Sequence, residues 1–86
     1  MRLSYNVTGS ERKSLVAAIS HELNAPTNYL GAPTFAYEIG GYHIDKTGTV
    51  TGPDNLNLED SLHHEGFDAD GDSREYDEPD TYENGL

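Results

Sequence analysis

A chain of 86 residues with sixteen Asp and Glu against five Lys and Arg, for a net charge of −11, is one small domain whose charge excludes nucleic acid and anionic membrane surfaces as ligands. It has no cysteine, which removes a disulfide framework and thiolate zinc sites. No stretch reaches the ~20 apolar residues of a membrane span, and Met1-Arg2-Leu3-Ser4-Tyr5-Asn6 lacks the apolar run of a signal peptide, so the expected location is the cytoplasm.

Leu3, Tyr5 and Val7 alternate with Arg2, Ser4 and Asn6, the period-2 pattern of a strand with one buried face. Thr8-Gly9-Ser10-Glu11 has the form of a capping box, which starts a helix at about Gly9. Leu15, Val16, Ile19 and Leu23 then make the apolar stripe of a helix lying on a sheet, ended by Asn24-Ala25-Pro26 because proline disfavours the α conformation before it. Tyr29-Leu30-Gly31-Ala32-Pro33 reads as a turn with two apolar anchors. Residues 34–51 are rich in aromatic and β-branched side chains, and Asp45-Lys46-Thr47-Gly48 predicts a type I turn with Gly48 at a left-handed bulge position between Ile44 and Val50. Gly40-Gly41 suits either a two-residue hairpin turn or a bulge in one longer strand, and the bulge is the preferred reading. Asn57 caps a short second helix carrying Leu58 and Leu62, with Gly66 left-handed at its end and Phe67 folded back onto Leu62.

The negative charge is unevenly distributed. Residues 1–52 hold four acids and four bases and are neutral, residues 53–67 hold four acids and no base, and residues 68–86 hold eight acids against Arg74. The expected organisation is an α+β domain over residues 1–67, a β-α-β-β core with the second short helix on the same sheet face as the first, followed by a disordered acidic tail over residues 68–86. The chain stops at Asn84-Gly85-Leu86 without a terminating element, as a fragment of a longer protein would.

None of the candidate chemical motifs is complete. Asp68-Ala69-Asp70-Gly71-Asp72 places carboxylates at positions 1, 3 and 5 of a calcium loop, but Ser73 stands where the turn needs glycine and Pro79 where a bidentate Glu should close the shell. His63-His64-Glu65 with Asp60 offers metal-ligand types, yet adjacent histidines on a helix point about 100° apart and cannot share an ion. Ser20-His21-Glu22 has triad residue types as helix neighbours, which do not face each other. The glycines form no phosphate-binding pattern, the Asn6-Val7-Thr8 sequon has no signal peptide to make it relevant, and paired glycosidase acids cannot be told from solvated carboxylates. No catalytic residue, cofactor or metal is therefore expected.

Tyr5-Asn6-Val7-Thr8-Gly9 with Glu11-Arg12-Lys13, then Tyr29-Leu30-Gly31-Ala32-Pro33-Thr34, Ala36-Tyr37-Glu38 and Ile44-Asp45-Lys46-Thr47-Gly48, form an ordered set over residues 3–50. It resembles the start of small Gram-positive bacterial proteins called virulence-related or virulence-associated, carried by phages and mobile elements. The resemblance implies a lineage; it supplies no reaction, ligand or site residue.

The function expected is that of a protein-interaction or regulatory module. Phe35, Tyr37 and Tyr42 on an open sheet face would meet the partner, and the acidic tail would steer toward a basic one. The chain itself would be a monomer or weak homo-oligomer. Two alternatives rest on the same acids: a nucleic-acid mimic that inhibits a DNA-binding enzyme, and a weak calcium-binding protein.

Overall fold

Seven elements follow one another along residues 1–70, the part of the chain that the computed structural model describes: β1 (Arg2–Ser4), α1 (Gly9–Leu23), β2 (Asn28–Gly31), β3 (Ala36–Ile39), β4 (Tyr42–Ile44), β5 (Thr49–Thr51) and α2 (Leu56–His64). The strands form one antiparallel sheet in the order β1-β5-β4-β3-β2, an α+β fold. β1 and β2 lie at opposite ends of that order, so α1 carries the chain from one edge to the other, and a meander of three hairpins brings it back to close β5 onto β1.

Parity decides the two faces. The cross-strand pairs Leu3↔Val50, Ile44↔Val50, Tyr37↔Ile44 and Ile39↔Tyr42 place those residues on one side of the pleat. Leu15, Val16 and Ile19 of α1 and Leu58 and Leu62 of α2 join them in a single buried cluster, so both helices cover that face. Each fully buried aliphatic side chain there contributes about 1.5–3 kcal/mol over its exposed state. The other face carries Arg2, Ser4, Glu38, His43, Thr49 and Thr51, the polar side of a sheet whose two described helices lie on its opposite face.

The sheet has more strands than the β-α-β-β reading, for two local reasons. Asn28–Gly31 pairs with β3 (Asn28↔Glu38, Tyr29↔Tyr37) and is a strand where a turn was expected. Gly40-Gly41 turns and does not bulge: Ile39 pairs with Tyr42, and both glycines have positive φ, 51° and 89°, as a two-residue I′ loop requires. The Asp45–Gly48 turn forms as expected. Gly48 N–H donates to Asp45 O at 3.1 Å, Asp45 N–H donates to Thr49 O at 3.0 Å, and Gly48 has φ 85°.

The helix ends follow local chemistry with two corrections. α1 starts at Gly9, but the Thr8 side chain makes no capping bond, so the capping box is absent. At its other end Asn24 is left-handed, and Ala25 N–H reaches back to Ser20 O at 3.1 Å. α2 is capped by Asn55, whose Oδ1 accepts from Leu58 N–H at 3.1 Å, and not by Asn57. Its C-terminus is the expected Schellman motif: Phe67 N–H donates to Leu62 O at 2.8 Å, Gly66 has φ 96°, and Phe67 packs against the core. Contacts continue three residues beyond Phe67, since Ala69 also packs on the core and Asp70 N–H donates to Ser4 O at 2.8 Å. The expected tail from residue 71 onward lies outside the described residues.

Candidate functional site

Arg12 of α1 organises one end of the molecule. Its Nη1 donates to Phe35 O at 2.9 Å and to Asp45 O at 3.2 Å, tying the β2–β3 turn to the β4–β5 turn. Its guanidinium carbon stands 5.0 Å from the centroid of Tyr37, and the Tyr37 ring lies 4.9 Å from that of Tyr29 at a 46° tilt. A tier of Arg12, Tyr37 and Tyr29 thus backs the β2 edge.

Tyr29 and two neighbours are apolar side chains that the core does not use. Tyr29 is 50% exposed, Leu30 41% and Phe35 43%, all on β2 or the turn after it. Phe35 also has φ 55°, a left-handed conformation that costs a bulky residue about 1–2 kcal/mol. Arg12 holds its carbonyl in place, and no core burial of its ring offsets the strain. The three residues fall in residues 23–37, the longest run of the chain without Asp, Glu, Lys or Arg.

The three residues expected on an open face separate. Phe35 is exposed, in the β2–β3 turn. Tyr37 is half-buried on the helix-covered face beneath Arg12. Tyr42 is buried in the core, its hydroxyl donating to Pro53 O at 2.7 Å. The expectation fails for Tyr42 and Tyr37 because each shares parity with a core isoleucine, Ile44 and Ile39 respectively. Tyr29 and Leu30 were expected as anchors of a turn, and the structure leaves both exposed on β2, within an uncharged run that was a readable signal.

The remaining motifs resolve into structural roles. Asp45 Oδ1 accepts from Thr49 N–H at 2.9 Å, and from Thr47 N–H and the Thr47 hydroxyl at 2.8 Å each. Partial burial pushes its carboxyl up, but these bonds outweigh that and hold it below the ordinary carboxylate range. Ser20 Oγ donates to Ala25 O at 2.5 Å, closing the end of α1 and not engaging His21. His63 Nδ1 bonds Asp68 Oδ1, and that carboxylate raises the imidazole above its usual value, with Asp60 adding to the effect. Among the described residues no three His, Cys, Asp or Glu side chains converge as metal ligands, and Asp72 of the calcium-loop reading lies beyond them.

An open groove of about 500 Å³ runs along α2, lined by Tyr5, Asn57, Glu59, Asp60, His63 and Asp68 among others. It is acidic, and the His63–Asp68 pair lies on its wall. No helix among the described residues is long and apolar enough to cross a membrane. No family model, no curated protein and no solved structure matches the chain.

Proposed function

We propose that this chain is a protein-interaction module, regulatory and without chemistry of its own, acting in the cytoplasm of a bacterium that carries it on a phage or other mobile element. The setting follows from the resemblance to virulence-associated proteins. The surface follows from Phe35: an exposed aromatic residue held in a left-handed backbone by Arg12, beside Tyr29 and Leu30 on an uncharged edge strand. Strain kept on a solvent-facing ring has no use for the core and suits a ring presented to a partner.

A photo-reactive phenylalanine at position 35 tests this reading against the same group at Thr51 on the polar sheet face. Adducts to a polypeptide at position 35 and none at position 51 are expected. Equal yields at both positions, or none at either, would end the proposal.

A second reading is favoured by one observation. Asp54, Glu59, Asp60, Glu65, Asp68 and Asp70 lie on or beside a formed helix with no Lys or Arg among them. Charges fixed on a folded surface are what a nucleic-acid mimic needs, and an acidic tail alone would not provide them. Titration into a DNA-binding enzyme checks it: inhibition should appear at micromolar concentration and fade with salt, and unchanged DNA binding would dismiss it.

A further inference from the structure

The sheet has two outer strands, and among the described residues only β1 is met by another segment. Tyr5 N–H points inward to Gly48 O at 3.1 Å, so the alternation of the ladder turns the Ser4 carbonyl outward, where Asp70 N–H takes it. At the other end β2 pairs with β3 alone among the described residues. Natural edge strands are guarded by lysines, inward charges or proline, because unpaired N–H and C=O groups template further pairing. Asn28-Tyr29-Leu30-Gly31 carries no charge and no proline, and is guarded only by its short length and its register shift.

We infer that the β2 edge takes the β2 edge of a second copy of this chain, antiparallel about a two-fold axis, so that two five-stranded sheets become one of ten. The inference rests on the proposed interaction surface and names its occupant. Three observations select a second copy. First, a two-fold contact brings each residue near its own equivalent or close neighbours, and an uncharged strand places no like charges across the axis. Second, the acids of α2 and of the segment after it sit at the far end. Glu59, Asp60 and Asp68 line a groove with Tyr5, which continues β1, and Asp70 bonds Ser4 of β1. β1 stands four strand spacings from β2, ~19 Å at ~4.8 Å each, well beyond the ~8 Å screening length. Joining the β2 edges therefore points the acidic ends of the described residues outward, the approach by which they meet with least repulsion. Third, a basic partner would be drawn to the acidic end and not to this edge.

The same features set the strength. The strands are four residues long, and the pairing register shifts between Tyr29 and Gly31, so the flat run is short. Such a contact falls below the ~1,200 Å² of stable interfaces and belongs with the weak, transient ones.

Sedimentation velocity of the full chain from about 10 μM to about 1 mM, at physiological salt, brackets interfaces of this size. The weight-average coefficient should climb toward that of a dimer. Leu30→Lys, at an exposed position, should weaken association about tenfold or more, and Thr51→Lys on the polar face should leave it unchanged. Dilution of the isotope-labelled native chain, which needs no variant, should move amide shifts within residues 28–35. A monomer at every concentration, a dimer indifferent to Leu30→Lys, or dilution shifts confined to α2 or β1 would each overturn the inference. A monomer that still gives Phe35 adducts to another polypeptide overturns the second copy alone and leaves the interaction reading in place; the absence of adducts ends that reading.

Discussion

β1 and β2 are both short outer strands of one sheet, yet the chain finishes them in opposite ways. β1 receives the segment after α2: Phe67 and Ala69 pack on the core and Asp70 bonds Ser4, so its outward Ser4 carbonyl is used within the fold. β2 receives nothing on its outer side among the described residues, and its apolar residues face solvent. The difference sets residues near β1, which the core uses, against residues near β2, which it leaves exposed. Matched substitutions at the two edges can therefore break or sharpen the contrast.

The largest effect is expected from a pair of glycines. Gly48 has φ 85°, and an added Cβ would stand 2.6 Å from Val7 Cγ2 and 3.1 Å from Val7 N, where the continuation of β1 meets the β4–β5 turn. Gly31 at the β2 edge has φ 71° and open space around it. Gly48→Ala combines left-handed strain with a clash and should cost about 2–4 kcal/mol; Gly31→Ala bears the strain alone, about 1 kcal/mol. Urea midpoints at unchanged slope measure both. Equal losses would mean that the β1 corner is no tighter than the β2 edge.

The two phenylalanines give the next contrast. Phe67→Ala removes a half-buried ring from the core and should cost about 2 kcal/mol, below the 3–5 of fully buried phenylalanine. Phe35→Gly removes an exposed ring and relieves a left-handed backbone, so the monomer should gain up to about 1 kcal/mol. A stabilised domain that has lost its position-35 contact is the expected signature of strain kept for interaction. A destabilised Phe35→Gly would instead give the ring a structural role.

The β1 side was more legible in the sequence than the β2 side. The α1 stripe, the Asp45–Gly48 turn and the Gly66-Phe67 ending are written in residues within one or two turns of each other, where local chemistry suffices. β2 was not, because Tyr29 becomes a strand residue only through its pairing with Tyr37, and Pro26 and Pro33 on either side argue for a turn. The faces of Tyr37 and Tyr42 were within reach. A two-residue Gly40-Gly41 turn pairs Ile39 with Tyr42, which puts Tyr37, Ile39, Tyr42 and Ile44 on one side, and the bulge reading hid that. Asn55 and Asn57 both suit a cap, since either register keeps Leu58 and Leu62 inward; the earlier one adds Leu56, which is 73% exposed.

The smallest effect concerns how firmly the β1 edge is covered. The pairing of His63 with Asp68 ties the end of α2 to the segment that crosses to Ser4, and the Asp68 carboxylate, with a smaller contribution from Asp60, raises the imidazole above its usual ~6.5. A histidine raised on folding stabilises fully below its unfolded value, and the contribution disappears as pH rises through the folded value. The tie should therefore hold in mild acid and slacken above pH ~6.5, by little, because both side chains are well exposed. In an NMR titration the His63 midpoint should lie above that of a model histidine and drop in Asp68→Asn, and the Asp70 amide, corrected for intrinsic exchange, should lose protection across the same interval. A His63 midpoint indifferent to Asp68→Asn would show that the covering segment is held by Phe67, Ala69 and the Ser4 bond alone, which would make the closure of this edge independent of pH.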